Sequence, residues 1–282
     1  MEVLKNKKTL QDFIERQKEM GKKIGFAPTM GALHNGHLSL YKKAKEENDL
    51  VISSIFVNPT QFNNAEDLEK YPRDINRDIL ILKNSDLVDA VYIPEVVDIY
   101  PEKAESLHYD FDGLENEMEG KSRPGHFDGV GTVVEELFRQ VKPDNAYFGE
   151  KDFQQLAIIK KMVEKKKLPV KIHGVSIYRA ENGLALSSRN QRLHENRREA
   201  SKIIYETLKK VNDWFRVITI PEIKERVKDI FESQQGMQLE YFLIADEDSL
   251  KETDFFYKDR NFRAFIVVVV DGVRLIDNMH LD

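Results

Sequence analysis

Residues 25–38 constrain the fold more than any other part of the sequence. An apolar strand over residues 22–27 runs into a turn that contains Gly31, Gly36 and two histidines, and an amphipathic segment follows over residues 38–47. A strand, a glycine-rich turn and a helix in this order are typical of α/β proteins that present a helix N-terminus to a phosphate. The glycines permit close approach of the main chain, and we expect the first N–H groups of the helix to face a ligand. The segment therefore predicts a nucleotide site that handles a triphosphate, and hence an enzyme.

Strand-like and helix-like segments alternate from the N-terminus to about residue 177. The strand candidates after the first are residues 50–57, 90–93, 145–148 and 170–177. The helix candidates are residues 74–83, residues 152–165 and an apolar face made by Val130, Val134, Leu137 and Val141. Apolar runs such as residues 50–57 are typical of buried parallel strands. This order predicts an α/β fold with a mostly parallel sheet covered by helices on both faces.

The pattern changes after residue 176. Helices are predicted over residues 195–216 and 221–233, and a strand over residues 239–245. Asp271 and Gly272 separate two apolar runs and read as the two-residue turn of an antiparallel hairpin. We therefore predict a first domain over residues 1–176 and a smaller α+β domain over residues 177–282.

Composition excludes several functional classes. The 43 Lys and Arg residues face 49 Asp and Glu residues, and this net charge of −6 argues against a nucleic-acid partner. With no cysteine, the chain cannot form disulfides, thiolate metal sites or thiol nucleophiles. Residues 1–12 are charged and lack a signal-peptide core, and the longest apolar run, residues 265–270, is too short to span a bilayer. We expect a cytoplasmic protein with no membrane partner.

His34 and His37 are the first candidate catalytic residues. Their spacing of three places both rings on one side of a helical turn. The helix start favours a neutral His37, which can donate a hydrogen bond to developing phosphoryl charge. The alternative is a capping or solvated pair, and a metal site would need a third ligand that is not obvious.

Polar residues follow two further strands at the edge where parallel sheets bind ligands. Asn58 and Gln61 offer neutral amides that suit hydroxyl and carboxylate oxygens, although a simple Asn-Pro turn remains an alternative. Lys151 can meet a phosphate as a point charge. Asp152 and Gln155 also fit a helix N-cap and its partner at the third helical position. Both interpretations can hold at once, since Asp152 can cap the helix while Gln155 turns into the cleft.

A serine-rich segment near the predicted domain junction suits a phosphate clamp. Ser187, Ser188 and Arg189 bring hydroxyl, guanidinium and backbone N–H donors together. The alternative is an N-cap before the helix predicted to start near residue 195, which is somewhat too distant to need both serines. Arg123 and His126 lie in a turn before a helix, and the sequence leaves open whether they line the site or support it.

Taken in order, these segments resemble the pantoate–β-alanine ligase family over residues 20–195, with weaker similarity to the C-terminus. The matching motifs are Pro28-Thr29-Met30-Gly31-Ala32-Leu33-His34-x-Gly36-His37, Phe56-Val57-Asn58-Pro59-x-Gln61-Phe62, Tyr71-Pro72-Arg73, Phe148-Gly149-Glu150-Lys151-Asp152 and Ser187-Ser188-Arg189-Asn190. The His-x-Gly-His element alone is shared by a whole nucleotidyltransferase superfamily, but the complete set in this order is specific.

The resemblance implies a Rossmann-like N-terminal domain, a smaller C-terminal lid domain and a homodimer. It implies that ATP and Mg²⁺ convert (R)-pantoate to pantoyl-adenylate with release of pyrophosphate, and that β-alanine then displaces AMP to give pantothenate. His37 would be the catalytic histidine, with His34, Lys151 and Arg189 as the other donors to phosphoryl charge. Gln61 and Gln155 would hold pantoate, with Asn58 beside them. The residues implied for ATP are Met30, Gly31, Ala32, Leu33, His34, Asn35, Gly36, His37, Gly149, Glu150, Lys151, Asp152, Tyr178, Leu186, Ser187, Ser188 and Arg189. The magnesium ligands are not identified.

Two other functions remain open at this point. A nucleotidylyltransferase that transfers AMP to a phosphorylated substrate would share the histidine pair but would need cations where Gln61 and Gln155 stand. A non-catalytic nucleotide-binding regulator would be expected to lack Lys151 or one histidine, and this chain keeps all three. The charged segment over residues 63–77 is predicted to be a mobile wall of the cleft.

Overall fold

A computed structural model of the chain describes residues 1–62, 68–69 and 71–282. These residues form two compact units. Residues 1–150 and 154–176 make the first unit, and residues 151–153 and 177–282 make the second. The predicted cleft wall over residues 63–77 falls partly outside the described residues, at residues 63–67 and 70. In the part of the chain that the structure describes, no helix has the length and apolar character needed to cross a membrane.

The first unit is built on a six-stranded sheet in the order β1-β4-β3-β2-β5-β6, and every neighbouring pair is parallel. Its strands are β1 Glu2–Leu4, β2 Ile24–Thr29, β3 Leu50–Ile55, β4 Ala90–Tyr92, β5 Asn145–Gly149 and β6 Lys171–Val175. The predicted α/β class with a parallel sheet is confirmed. The short edge strand β1 was not predicted, because three residues carry too little periodicity to be recognised.

Helices connect these strands. They are α1 Lys7–Glu19, α2 Asn35–Glu47, α3 Ile75–Ser85, α4 Val96–Ile99, α5 Met118–Ser122, α6 His126–Val141 and α7 Phe153–Lys166. Asp74 caps α3 by accepting the N–H of Arg77 at 2.9 Å. A 3₁₀ turn over Glu150–Asp152 leads directly into α7, so this helix begins at Phe153, one residue later than predicted. Asp152 therefore lies inside that turn.

The strand order creates a switch point between β2 and β5. From β2 the chain proceeds outward to β3 and β4, whereas from β5 it proceeds outward to β6 on the other side. Gly25 and Phe26 pair directly with Asn145 and Ala146, so the two strands are adjacent. Connections that leave adjacent strands in opposite directions open a crevice at their carboxyl ends. This topology therefore favours the loops after β2 and β5 as the place for a ligand in this unit.

The second unit packs three helices with an antiparallel sheet in the order β7-β8-β9. Its elements are α8 Glu195–Ala200, α9 Ile203–Trp214, α10 Ile220–Glu232, β7 Met237–Asp246, β8 Phe262–Val270 and β9 Val273–Leu281. The predicted hairpin is confirmed, and Asp271 and Gly272 have φ values of 45° and 79°. The predicted helix over residues 195–216 is interrupted between α8 and α9. There the buried Ser201 hydroxyl donates to the Arg197 carbonyl at 2.7 Å, a contact that favours bending.

Candidate active site

A buried carboxylate holds the loop after β2. Asp78 of α3 is only 1% exposed, and its two oxygens accept the backbone N–H groups of Ala32 and Leu33, each at 2.8 Å. The loop needs left-handed backbone here, with φ values of 84° at Gly31 and 52° at Ala32. A Cβ at Gly31 would lie 2.8 Å from the Asp78 Oδ2 atom, so only glycine fits. Burial raises the pKa of Asp78, although both hydrogen bonds favour its charged form.

Most N–H groups of this loop are engaged within the protein, and the expectation that the first N–H groups of the helix face a ligand is wrong for Gly36 and His37. The Gly31 N–H bonds to the Thr29 hydroxyl at 3.2 Å, and the Ala32 and Leu33 N–H groups bond to Asp78. The Gly36 N–H bonds to His34 Nδ1 at 3.1 Å, and the His37 N–H bonds to the His34 carbonyl at 2.8 Å. These donors stabilise the loop itself, and the side chains of His34 and His37 are the candidate donors to a ligand.

The two histidines have an arrangement that suits that task. His34 is the N-cap of α2 and its Nδ1 accepts the Gly36 N–H, while the His34 N–H donates to His37 Nδ1 at 3.3 Å. The ring centroids lie 4.1 Å apart. Because each Nδ1 atom accepts, the neutral rings carry their protons on Nε2. Capping, the alternative that the sequence left open, is therefore realised, and in neutral rings it places the N–H donors on Nε2.

Asn58 and Gln61 follow β3, but their environments differ. Asn58 is 1% exposed, and its Nδ2 donates to the Gly129 carbonyl at 3.0 Å and to Gln61 Oε1 at 3.2 Å. Its Oδ1 accepts the Tyr100 hydroxyl at 2.6 Å and the Thr60 hydroxyl at 3.1 Å. With both amide hydrogens and the oxygen engaged, the geometry favours a supporting role for Asn58 over direct contact with a ligand.

Gln61 is half-buried and held from several sides. Its Nε2 lies 2.9 Å from the Met30 sulfur, which links it to the loop after β2. The main-chain carbonyl of Gln61 accepts hydrogen bonds from His126 Nδ1 at 2.8 Å and from Arg123 Nη2 at 3.1 Å. Gly129 permits this packing, since a Cβ there would lie 2.6 Å from the Thr60 carbonyl oxygen. Arg123 and His126, which the sequence left open, thus contact the main chain of Gln61.

The glutamines at the start of α7 also separate into two kinds. Gln154 is 5% exposed and bonds three main-chain groups, with its Nε2 donating to the Leu114 and Glu117 carbonyls at 2.8 Å and its Oε1 accepting the Glu119 N–H at 3.0 Å. Gln155 is half-buried on the same helix and belongs to the first unit, as do Gly149 and Glu150 at the end of β5.

The remaining predicted nucleotide residues lie in the second unit. Lys151 and Asp152 belong to this unit, and the Lys151 ammonium lies 3.6 Å from Asp152 Oδ1. The Leu186 N–H donates to the Tyr178 carbonyl at 3.0 Å, and this hydrogen bond closes a narrow turn between the two residues. Ser187 caps a 3₁₀ turn over Ser188–Arg192 by accepting the Arg189 N–H at 3.2 Å. The alternative of an N-cap for the helix near residue 195 is wrong, because the N-cap residue of that helix is His194. Ser188 is buried and Arg189 is half-buried.

Sequence reasoning missed a buried ion pair beneath this turn. Arg179 binds Asp277 with both arms, at 2.6 and 3.0 Å, and its guanidinium stacks 3.9 Å from the centre of the Tyr205 ring. The two charges are separated by almost the whole second unit in sequence, so no local pattern links them. Among the described residues, no group of three His, Asp or Glu side chains could hold a metal ion.

Comparisons with known proteins agree on one family. The family model described as pantoate-beta-alanine ligase matches residues 2–280. The chain is 49% identical over 282 residues to a pantothenate synthetase of Christiangramia forsetii, covering 100% of both chains. It is 50% identical over 272 residues to a pantothenate synthetase of Flavobacterium psychrophilum, covering 96% of this chain and 95% of that one.

Solved structures agree in fold. The pantothenate synthetase from Thermus thermophilus matches with a TM-score of 0.90 at 35% identity, covering 99% of both chains. The pantoate-beta-alanine ligase from Francisella tularensis, solved in complex with beta-gamma ATP and beta-alanine, matches with a TM-score of 0.81 at 39% identity, covering 99% of this chain and 97% of that one. The chain therefore belongs to the pantoate–β-alanine ligase family, and it is an enzyme that uses ATP to join pantoate to β-alanine.

Proposed function

We propose that this ligation runs through a pantoyl-adenylate, with the residues around the loop after β2 stabilising its formation. The observation that carries the proposal is the histidine pair, whose Nδ1 atoms accept main-chain N–H groups, so that each neutral ring carries its own N–H donor on Nε2. Gln61 lies beside this loop and offers a neutral amide, which suits an uncharged or carboxylate substrate better than a phosphorylated one.

Adenylation makes the carboxylate of pantoate reactive. The carboxylate oxygen attacks the α-phosphorus of ATP, a P–O bond forms, and the bond to the pyrophosphate leaving group breaks. Negative charge grows on the phosphoryl oxygens during this step, and donors aimed at it provide the main stabilisation. We assign this role to His37 and His34 in the first unit and to Lys151 and Arg189 in the second.

The second step needs no nucleophile from the protein. The free amine of β-alanine attacks the acyl carbon, the acyl C–O bond to AMP breaks, and an amide forms with loss of a proton. Positioning the amine and the activated acyl group together can lower the barrier, by on the order of 7–11 kcal/mol in the best intramolecular cases. Gln61 and Gln155 are proposed to hold pantoate for both steps, with Asn58 acting through Gln61.

ATP is proposed to contact the segments that the family motifs indicate. In the first unit these are residues 30–37 with Gly149 and Glu150, and in the second unit they are Lys151, Asp152, Tyr178 and residues 186–189. Because the loop after β2 uses most of its own N–H groups internally, its contribution comes from His34 and His37. The other residues of the loop shape its surface.

Magnesium is proposed to accompany ATP. The described residues offer no cluster of three carboxylates or histidines, and Mg²⁺ commonly binds through substrate phosphates with few protein ligands. When bound, the ion would neutralise phosphate charge; Glu150 and Asp152, beside Lys151, are the carboxylates in the predicted nucleotide motif. A homodimer and a lid role for the second unit are proposals that rest on family resemblance. A cytoplasmic location is proposed from the composition, since a chain without cysteine is compatible with a reducing compartment.

Isotope exchange between pyrophosphate and ATP tests this scheme. We expect exchange with (R)-pantoate alone, no exchange with β-alanine alone, and AMP with an amide product only when both are present. (S)-pantoate is the matched control for substrate recognition. Exchange that requires β-alanine would contradict a separate adenylation step, and a dinucleotide product would indicate a nucleotidylyltransferase.

A further inference from the structure

The main chain at Lys151 is anchored by a residue far away in sequence. The Lys151 carbonyl accepts the Nδ2 group of Asn278 at 2.9 Å, across 127 residues. Both residues belong to the second unit, although Glu150, immediately before Lys151, belongs to the first. Asn278 lies on β9 and is 2% exposed, so water does not compete for this contact.

A second contact fixes the orientation of the Asn278 amide. The Asn278 Oδ1 atom accepts Arg263 Nη1 at 2.7 Å. A guanidinium can only donate, so the oxygen must face Arg263 and the amide nitrogen must face the Lys151 carbonyl. Arg263 is itself 7% exposed and held by Glu247 Oε1 at 2.7 Å. The amide therefore has one orientation available.

The same residues enclose the segment that Lys151 begins. The Arg263 guanidinium lies 3.9 Å from the centre of the Phe153 ring, and the Phe265 ring centroid lies 5.9 Å from that of Phe153. Phe265 is the direct partner of Asn278 in the β8–β9 ladder. Residues 151–153 are thus held by a hydrogen bond at one end and by ring packing at the other.

The neighbouring residue extends this arrangement to the other nucleotide segment. Asp277 Oδ1 accepts the Asn278 N–H at 2.8 Å, and the same carboxylate binds Arg179. Arg179 follows Tyr178 and donates to the Gly183 carbonyl at 3.2 Å within the turn that leads to Ser187. Two adjacent residues of β9 therefore contact both nucleotide-binding segments of the second unit.

We propose that Asn278 is a positioning residue for the reaction, setting the main chain at Lys151 so that its ammonium meets the triphosphate. This inference rests on the proposed role of Lys151 in binding ATP. Without the Asn278 amide, the Lys151 carbonyl and the Arg263 guanidinium each lose a buried partner, and the Lys151 Cα is free to shift. A displacement of about 1 Å from a supporting residue can cost roughly 10²-fold in rate.

A double-mutant cycle tests the proposal. In the full-length enzyme, Asn278→Ala is expected to lower kcat/KM for ATP by roughly 10²-fold, while KM for pantoate stays unchanged. In a Lys151→Ala background the same change is expected to cost less than about 3-fold, because the group that it positions is gone. Equal losses in both backgrounds would overturn the proposal.

Further variants keep the result independent of folding. Asn278→Asp retains the acceptor for Arg263 but has no donor for the Lys151 carbonyl, so it should be as defective as Asn278→Ala; wild-type activity would overturn the proposal. Asn212→Ala, which removes the acceptor of the Asp282 N–H in the same unit, is the control expected to keep normal kinetics. If Lys151→Ala keeps normal pyrophosphate exchange, the proposed role of Lys151 in binding ATP is wrong. That result differs from equal losses in both backgrounds, which would contradict only the role of Asn278.

Discussion

The carboxylate of Asp78 accepts the backbone N–H of Ala32 at 2.8 Å, although 46 residues separate the two in sequence. Its second oxygen accepts the N–H of Leu33, so one side chain of α3 fixes the loop that carries the histidine pair. The carboxylate is buried, and hydrogen bonds to charged groups contribute about 1.5–3 kcal/mol each. The geometry of the histidines is therefore determined partly by a residue outside the glycine-rich motif.

Asp78→Asn is expected to lower kcat/KM for ATP by roughly 10²-fold, because an amide can accept only one of the two N–H groups and turns a donor toward the other. The measurement is steady-state kinetics below the unfolding temperature. Asp74→Ala, which removes the cap of the same helix, should cost about 1 kcal/mol of stability without a comparable loss of rate. Unchanged kinetics in Asp78→Asn would show that the loop holds its geometry alone.

Gly31→Ala is expected to destabilise the protein and to inactivate it. The new Cβ would meet a left-handed φ of 84° and lie 2.8 Å from Asp78 Oδ2. Gly113→Ala introduces the same kind of strain at a φ of 88° but with nothing within 4 Å. Urea unfolding should show a loss for Gly31→Ala that exceeds that for Gly113→Ala by about 1–3 kcal/mol, the usual cost of overpacking. Equal losses would argue against crowding by Asp78.

His37→Ala is expected to lower pyrophosphate exchange by roughly 10²–10³-fold, the usual effect of removing one donor to developing phosphoryl charge. Exchange is the right measurement because it reports adenylation alone. His108→Ala, at a side chain that is 88% exposed, is the control and should retain exchange. Near-normal exchange in His37→Ala would remove the histidine from the proposed catalytic group.

Two adjacent glutamines provide a matched pair. Gln155→Ala is expected to raise KM for pantoate more than KM for ATP, because we assign Gln155 to pantoate. Gln154→Ala instead removes the three hydrogen bonds of a buried side chain, so it should lower the free energy of unfolding by about 1–3 kcal/mol for each buried group left unsatisfied. The folded fraction of the Gln154→Ala enzyme should keep KM values for pantoate and ATP close to those of the wild type. A selective effect of Gln154→Ala on pantoate would reverse the two assignments.

Glu47 should contribute to acid sensitivity. Its hydrogen bonds with Lys43 and Tyr147 lower its pKa from 4.5 to about 2. A lowered folded-state pKa contributes stability that is present above about pH 4.5 and is lost as pH falls toward about 2. Glu47→Gln should therefore reduce the pH dependence of the urea midpoint in that range. Glu46→Gln, with a longer 3.7 Å contact to Lys43, is the control. Parallel curves for wild type and Glu47→Gln would contradict this prediction.

The sequence predicted the features that depend on local patterns. The parallel sheet, the long helix α6 and the Asp271-Gly272 hairpin all follow from periodicity and turn chemistry within a few residues. The edge strand β1 and the break at Ser201 could not be predicted in this way, because a short edge strand and a bent helix depend on what packs against them.

The site shows the same division. Glycines and histidines could be recognised from their spacing, and Gln61 from its place after a strand. The supporting residues Asp78, Arg179 and Asn278 act over long separations in sequence, and a single chain carries no signal for such pairs. The sequence also assigned the first N–H groups of α2 to the ligand, because a sequence cannot show which acceptors the fold brings to them.

The internally satisfied amides of the loop after β2 have a thermodynamic consequence. A loop that forms most of its own hydrogen bonds before nucleotide arrives loses little conformational entropy on association, because the chain has already ordered it during folding. The affinity of this unit for nucleotide should then depend on the chemistry of the imidazole rings. Calorimetry should detect no large unfavourable binding entropy from ordering of the loop.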